Sequence, residues 1–154
     1  MPKSAANAPE TYQPNRGLTG KIRRRLTQWR TSEPLVYDLP HAIISFTFDD
    51  FPKSAAHIGA EIVESVGATA TYYACTGMMG ATNITGDLFD AHDIAPLVSA
   101  GHEIAAHTHS HSDCAQSETE TSLADIEVNL DALAALGVKR PEHFAYPYGE
   151  TQFG

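Results

Sequence analysis

Two rhythms of apolar residues run along the chain. A period near 3.6 first shows at Leu18, Ile22, Leu26 and Trp29, whose spacings gather them on one helical face. Lys21, Arg23, Arg24 and Arg30 fall outside that stripe and Arg25 on its edge, so residues 18–33 are expected to form an amphipathic helix. With only four apolar residues, its stripe suits docking on the protein body better than anchoring in a membrane surface. The preceding residues 1–17, with Pro2, Pro9, Pro14 and Gly17, read as a disordered tail. A linker from Pro34 to Pro40 then separates the helix from a domain over 41–154.

Within that domain the rhythms alternate. Ala42 to Phe48 is β-branched and aromatic between Pro40 and Pro52, the pattern of a buried strand. Ser54 to Val66 places Ala55, Ile58, Ile62, Val63 and Val66 at helical spacing before Gly67. Ala68 to Cys75 is a second strand, and Gly77 to Gly86 a loop. Asp90 to Ser99 is a helix with Asp90 as its N-cap and Gly101 near its end. Glu103 to Ala106 is a short third strand. Glu118 to Leu136 is a long helix with a Leu123, Ile126, Leu130, Leu133, Leu136 stripe, ended by Gly137, and His143 to Tyr146 is a last strand. Strands alternating with helices imply parallel βα units, whose chemistry sits at the C-terminal ends of the strands.

Composition narrows the class. The 154 residues are 42% hydrophobic and 19% charged, in the range of an ordinary globular domain. No apolar run reaches the roughly 18 residues of a spanning helix, and residues 1–17 lack the apolar core of a secretory signal, so the expected address is the cytoplasm. Cys75 and Cys114 are too few for a disulfide framework and read as reduced packing residues. The net charge of −9 is uneven. Up to Arg30 seven basic residues face one carboxylate, whereas beyond it three basic residues face eighteen. An acidic body excludes a nucleic-acid groove through the domain.

Two clusters carry chemistry. Asp49 and Asp50 end the first strand, where adjacent carboxylates repel unless a cation sits near them. Taken alone, they serve equally as a turn or helix cap. His107 and His111 are four residues apart, a step that puts both on one face of a helix or a strand. Two neutral imidazoles and a carboxylate match a catalytic zinc site. The same donors also serve non-haem iron oxygenases, but the alternating α/β pattern favours hydrolysis.

Thr47-Phe48-Asp49-Asp50, then His107-Thr108-His109-Ser110-His111 after Ala100-Gly101-His102-Glu103-Ile104-Ala105-Ala106, and finally Phe144-Ala145-Tyr146-Pro147-Tyr148-Gly149 resemble, in order, the first three motifs of the polysaccharide deacetylase family, the NodB homology domain of carbohydrate esterase family 4. The resemblance spans about Ile43 to Gly149. It implies a distorted (β/α) barrel, incomplete at the C-terminus because the family's later motifs lie beyond Gly154. It implies one divalent metal, zinc, on Asp50, His107 and His111. Asp49 would be the base that activates water, Thr108 the brace between the two histidines, and the main-chain N–H of Tyr148 an oxyanion donor. The substrate would be an N-acetylated amino-sugar oligomer or polymer. His109 has no role in the resemblance and is expected to be solvated or behind the ligands.

Two departures bear on activity. The arginine that many members place in the third motif corresponds to Ala145, and the only histidine after the metal cluster is His143. Weak turnover of this chain by itself is therefore expected, and a second copy covering the open barrel edge is a candidate oligomer. The competing readings are a metal-holding remnant that needs a partner and an amidase for a non-sugar acyl amide.

Overall fold

The computed structural model describes residues 17–30 and 38–149. The expected tail lies outside them up to residue 16, as does most of the linker. Helix α1 (Leu18–Arg30) belongs to one compact unit and the described residues from Ala42 to Gly149 to a second, and each is described by itself. In α1 the predicted helix is present; the side chains of Trp29, Arg23, Arg24 and Arg30 lie outside the described set.

The second unit begins with β1 (Phe46–Phe48). A π-helical turn (Ala55–Gly59) leads into α2 (Ala60–Ser65), which is followed by β2 (Ala70–Ala74). A 3-10 turn (Thr76–Met78) and a small antiparallel hairpin, β3 (Thr82–Asn83) with β4 (Gly86–Asp87), precede α3 (Ala91–Ser99). Then come β5 (Glu103–Ala106), α4 (Thr119–Ala135) and a last 3-10 turn (Pro147–Gly149). The strands β1, β2 and β5 form a parallel sheet in that order, with Phe46 opposite Ala70 and Tyr72 opposite Ile104. Beyond β5 a single parallel bridge joins Ala106 to Phe144.

Apolar burial explains this order. Strand β2 lies between two neighbours and buries Ala70, Tyr72 and Ala74, while β5 buries Ile104, Ala105 and Ala106. An aromatic ladder fills the space beneath the β1 end: Phe48 stacks on Tyr72 and Phe51 on Phe89, with Phe51 and Tyr72 ring centroids 5.0 Å apart. Gly59 lets the π-helical turn press close to Phe48, since a Cβ there would meet Phe48 Cζ at 3.0 Å. Helix α3 starts from a reciprocal cap. The Asp90 carboxylate accepts from His92 N–H at 2.8 Å, and Asp93 reaches back to Asp90 N–H at 2.8 Å.

Four expectations change in the folded chain. The strand expected from Ala42 shrinks to three residues and is not buried: Ile43 and Ile44 are 72% and 77% exposed. It pairs on one side only, with β2, and among the described residues no further strand pairs with its other edge. The loop after β2 contains the hairpin, whose turn is held by Asn83 Oδ1 accepting from Thr85 N–H and Oγ1–H. His143 to Tyr146 contributes one bridge in place of a strand. In α4 the buried face is not the whole leucine stripe, because Leu123 is exposed whereas Ser122 and Asn129 are buried.

Candidate metal centre

The site forms where the chain leaves β1 and β5, both at their C-terminal ends, and where it passes Tyr148. At the first of these, Asp50 and Phe51 adopt left-handed backbone angles, φ 59° and 54°. Such angles cost about 1–2 kcal/mol per non-glycine residue. Phe51 offsets that cost: it is fully buried between Tyr72 and Phe89 and accepts Phe89 N–H at 3.0 Å on its carbonyl. Full burial of such a ring contributes about 1.5–3 kcal/mol, and each aromatic pair about 0.5–1.5 kcal/mol more. The core therefore takes Phe51 and turns Asp50 toward the histidines.

At the second exit, His107 continues directly from β5 and is 2% exposed. Its Nδ1 lies 2.9 Å from the Ala145 carbonyl. A carbonyl only accepts, so Nδ1 carries a proton and Nε2 is the nitrogen turned to the site. His111 Nδ1 lies 3.0 Å from the Tyr148 hydroxyl, which likewise directs Nε2 inward. The ligating atoms of Asp50, His107 and His111 all lie within 4.8 Å of one another. Thr108, fully buried, accepts Ser112 N–H on Oγ1 at 3.2 Å and so spans the residues between the two histidines.

These donors suit a divalent cation. Asp50 Oδ1 is buried without an aligned hydrogen bond among the described residues, although His111 Nε2 is 2.8 Å and His107 Nε2 3.5 Å away. At these distances an imidazole proton on Nε2 faces the carboxylate in the ion-free chain, and an ion in the shared space would take the place of that proton. The His107 ring first, and the His111 ring after it, hold the Asp50 carboxyl well below the usual carboxylate range against the opposing effect of burial. Imidazoles that hold a metal are usually oriented by a partner on the other ring nitrogen, and the Ala145 carbonyl and the Tyr148 hydroxyl stand at that nitrogen here. Cys75 directly follows β2 and lies against the histidine loop, but burial pushes its thiol up to about 12, and its Sγ–H donates to the His109 carbonyl at 2.9 Å. It remains a thiol at neutral pH and is no ligand.

Residues 37–152 match the sequence pattern described as polysaccharide deacetylase. The chain belongs to the polysaccharide deacetylase family. No curated protein matches it. Solved structures do. IcaB from Ammonifex degensii superposes with a TM-score of 0.63 at 18% identity, over 74% of this chain and 54% of that one. A family 4 carbohydrate esterase from Streptomyces lividans, solved with acetate, gives 0.59 at 26% identity over 73% and 54%. A family 4 acetyl xylan esterase from Clostridium thermocellum, solved with a cobalt ion, gives 0.55 at 24% identity over 70% and 50%. The chain thus spans about half the length of the deacetylase structures it resembles.

Of the residues singled out in the sequence, Asp50, His107 and His111 come together, with Tyr148 on His111 and Thr108 between the histidines. Asp49 is exposed beside them and is not one of the converging donors. His109 turns out to be structural: its ring meets Thr76 Oγ1 at 2.8 Å and its carbonyl accepts Gly77 N–H at 2.8 Å. Three participants were not anticipated. The Ala145 carbonyl sets the His107 tautomer, a role that no side-chain pattern announces. Asp125 and Asn129 on α4 hold the histidine loop. Their signal was present as polar residues at helical spacing with Ser122, continuous with the buried Leu133.

Proposed function

We propose that this chain carries the metal-dependent site of a carbohydrate deacetylase acting on N-acetylated amino-sugar oligomers or polymers. The convergence of Asp50, His107 and His111, with both imidazoles fixed through Nδ1, supports the reading most directly. Asp50, His107 and His111 would hold the ion, and their donor set suits zinc. Bound there, such an ion supplies acidity to water and polarises an acetyl carbonyl.

The remaining work falls to the chain. Asp49, exposed next to Asp50, takes the proton of the attacking water and gives it up to the amine nitrogen as the C–N bond breaks. Tyr148, with a left-handed backbone at φ 63°, presents its main-chain N–H to the developing oxyanion while its hydroxyl orients His111. The buried His107 keeps its proton on Nδ1, against the Ala145 carbonyl, throughout. No charged side chain from the third motif steadies Asp49, because Ala145 occupies that place.

The test is acetate release by the purified chain from chitooligosaccharides, with acetylated xylan as a parallel substrate and Asp49→Asn as the blank. Release above the blank from the chitooligosaccharide, stopped by a chelator and restored by zinc, is the expected result. Release from xylan alone would move the substrate to O-acetyl sugars. Activity that ignores the chelator would remove the metal from the reading.

A further inference from the structure

The residues between the two histidine ligands are held from outside the site, by the N-terminal half of α4. A single oxygen of Asp125, Oδ2, accepts from His109 N–H at 3.0 Å, Ser110 N–H at 3.1 Å and Ser112 Oγ–H at 3.2 Å. One turn further along, Asn129 is fully buried and spends its whole amide on the same region. Its Oδ1 accepts His107 N–H at 3.2 Å, and its Nδ2 donates to the Ala74 carbonyl at 3.0 Å and to Thr76 Oγ1 at 2.9 Å. Asn129 therefore ties the end of β5 to the end of β2, at the residue that becomes the first histidine ligand.

The loop so held is strained. Thr108 and His111 both take left-handed angles, φ 60° and 56°. Non-glycine residues persist there only where their surroundings over-determine them. Hydrogen bonds from backbone N–H groups to a carboxylate are charge-assisted and are among the stronger ones. Asp125 meets that need for residues 109 and 110, and Asn129 for residue 107.

We infer that Asp125 and Asn129 are positioning residues, which preset His107 and His111 for the metal without touching it. This rests on the reading that Asp50, His107 and His111 hold the ion. A merely structural role would lower stability and leave metal affinity alone, so the two roles separate in a binding experiment.

The experiment is a zinc titration of the 154-residue chain against a chromophoric chelator, with the visible spectrum of the cobalt-substituted protein as a second readout. Wild type is compared with Asp125→Ala, Asp125→Asn and Asn129→Leu, each checked for folding by far-UV circular dichroism. Alanine raises intrinsic helix propensity, so a loss in Asp125→Ala does not come from a weaker α4. Outer-shell substitutions typically weaken metal affinity about 10–100-fold, the loss expected for Asp125→Ala and Asn129→Leu together with a changed cobalt spectrum. Asp125→Asn keeps one accepting oxygen and is expected to lose less. If wild type binds no zinc, the functional reading above fails. If wild type binds and the folded variants match it in affinity and spectrum, even at lower thermal stability, the positioning role is wrong. Should Asn129→Leu not fold, the partly exposed Asp125 variants decide.

Discussion

At the scale of single residues, the site is marked by its backbone. Among the described residues five non-glycines have positive φ: Asp50, Phe51, Thr108, His111 and Tyr148. Every one is a candidate functional residue or adjoins one, the pattern expected when strain is held where geometry matters. Asp50 makes a pH prediction. Its carboxyl titrates below the unfolded value of about 3.9 because the His107 and His111 rings lie against it. A depressed carboxylate adds stability above the unfolded value and loses it as pH falls through the folded one. Metal-free protein should therefore weaken as pH drops below about 4, and Asp50→Asn should flatten that part of the profile. Urea midpoints measured from pH 6 to pH 2 check this; parallel profiles for both proteins would count against it. Tyr148→Phe offers a second measure, since it removes only the hydroxyl on His111 Nδ1. About a tenfold loss of zinc affinity is expected, and calorimetric titration reads it.

Elements carry the next layer, and here close approach matters more than pattern. The turn after β2 reaches the histidine loop only because residue 77 is glycine: a Cβ there would lie 2.4 Å from the His109 carbonyl oxygen. Gly77→Ala should therefore part the two loops, costing about 1–3 kcal/mol, the usual range for forced overpacking. The loss should appear in denaturant unfolding and be accompanied by weaker zinc binding. Asp90→Ala, by contrast, removes the cap of α3 and the Lys53 ion pair, neither of which is made to Asp50, His107 or His111. It should cost about 1 kcal/mol with zinc affinity unchanged, and a variant that lost both would show the two regions to be coupled. Of these elements, β2, β5, α3 and α4 were legible in the sequence because local periodicity and caps specify them: Asp90, Gly101 and Gly137 stand where the helices begin or end. Residues 42–48 misled because their apolar character says nothing about which neighbours cover them, and β1 has only β2. His107 and His111 stood out by residue type and spacing, whereas the choice of Asp50 over Asp49 came from the resemblance of the motifs and not from spacing. The hold of Asn129 on His107, 22 positions away, was not legible, because a buried asparagine on a helix looks like a break in the apolar stripe until its partners are known.

At the scale of the whole molecule, the candidate metal site joins segments that are far apart in the chain. Asp50 follows β1, His107 and His111 follow β5, and Tyr148 stands beyond the bridge from Ala106 to Phe144. An ion held by Asp50 and the two histidines would tie the ends of β1 and β5 together across β2. Binding to the folded state alone raises stability by RT ln(1 + [L]/Kd), about 2.7 kcal/mol at a hundredfold excess over Kd. For a domain of this size each kcal/mol moves Tm by roughly 2–4 °C, and for a smaller one by 4–8 °C. Zinc at a hundred times its measured Kd should therefore raise Tm by about 5–11 °C over chelator-treated protein. His111→Ala, which removes a ligand but leaves His107 held by Ala145, should show little of that shift. Differential scanning calorimetry with and without zinc makes the comparison. The site is read as tying the two strand ends together, so an equal rise in His111→Ala would place the bound ion elsewhere on the chain, and an unchanged wild-type Tm at that excess would mean that the ion binds folded and unfolded chain alike.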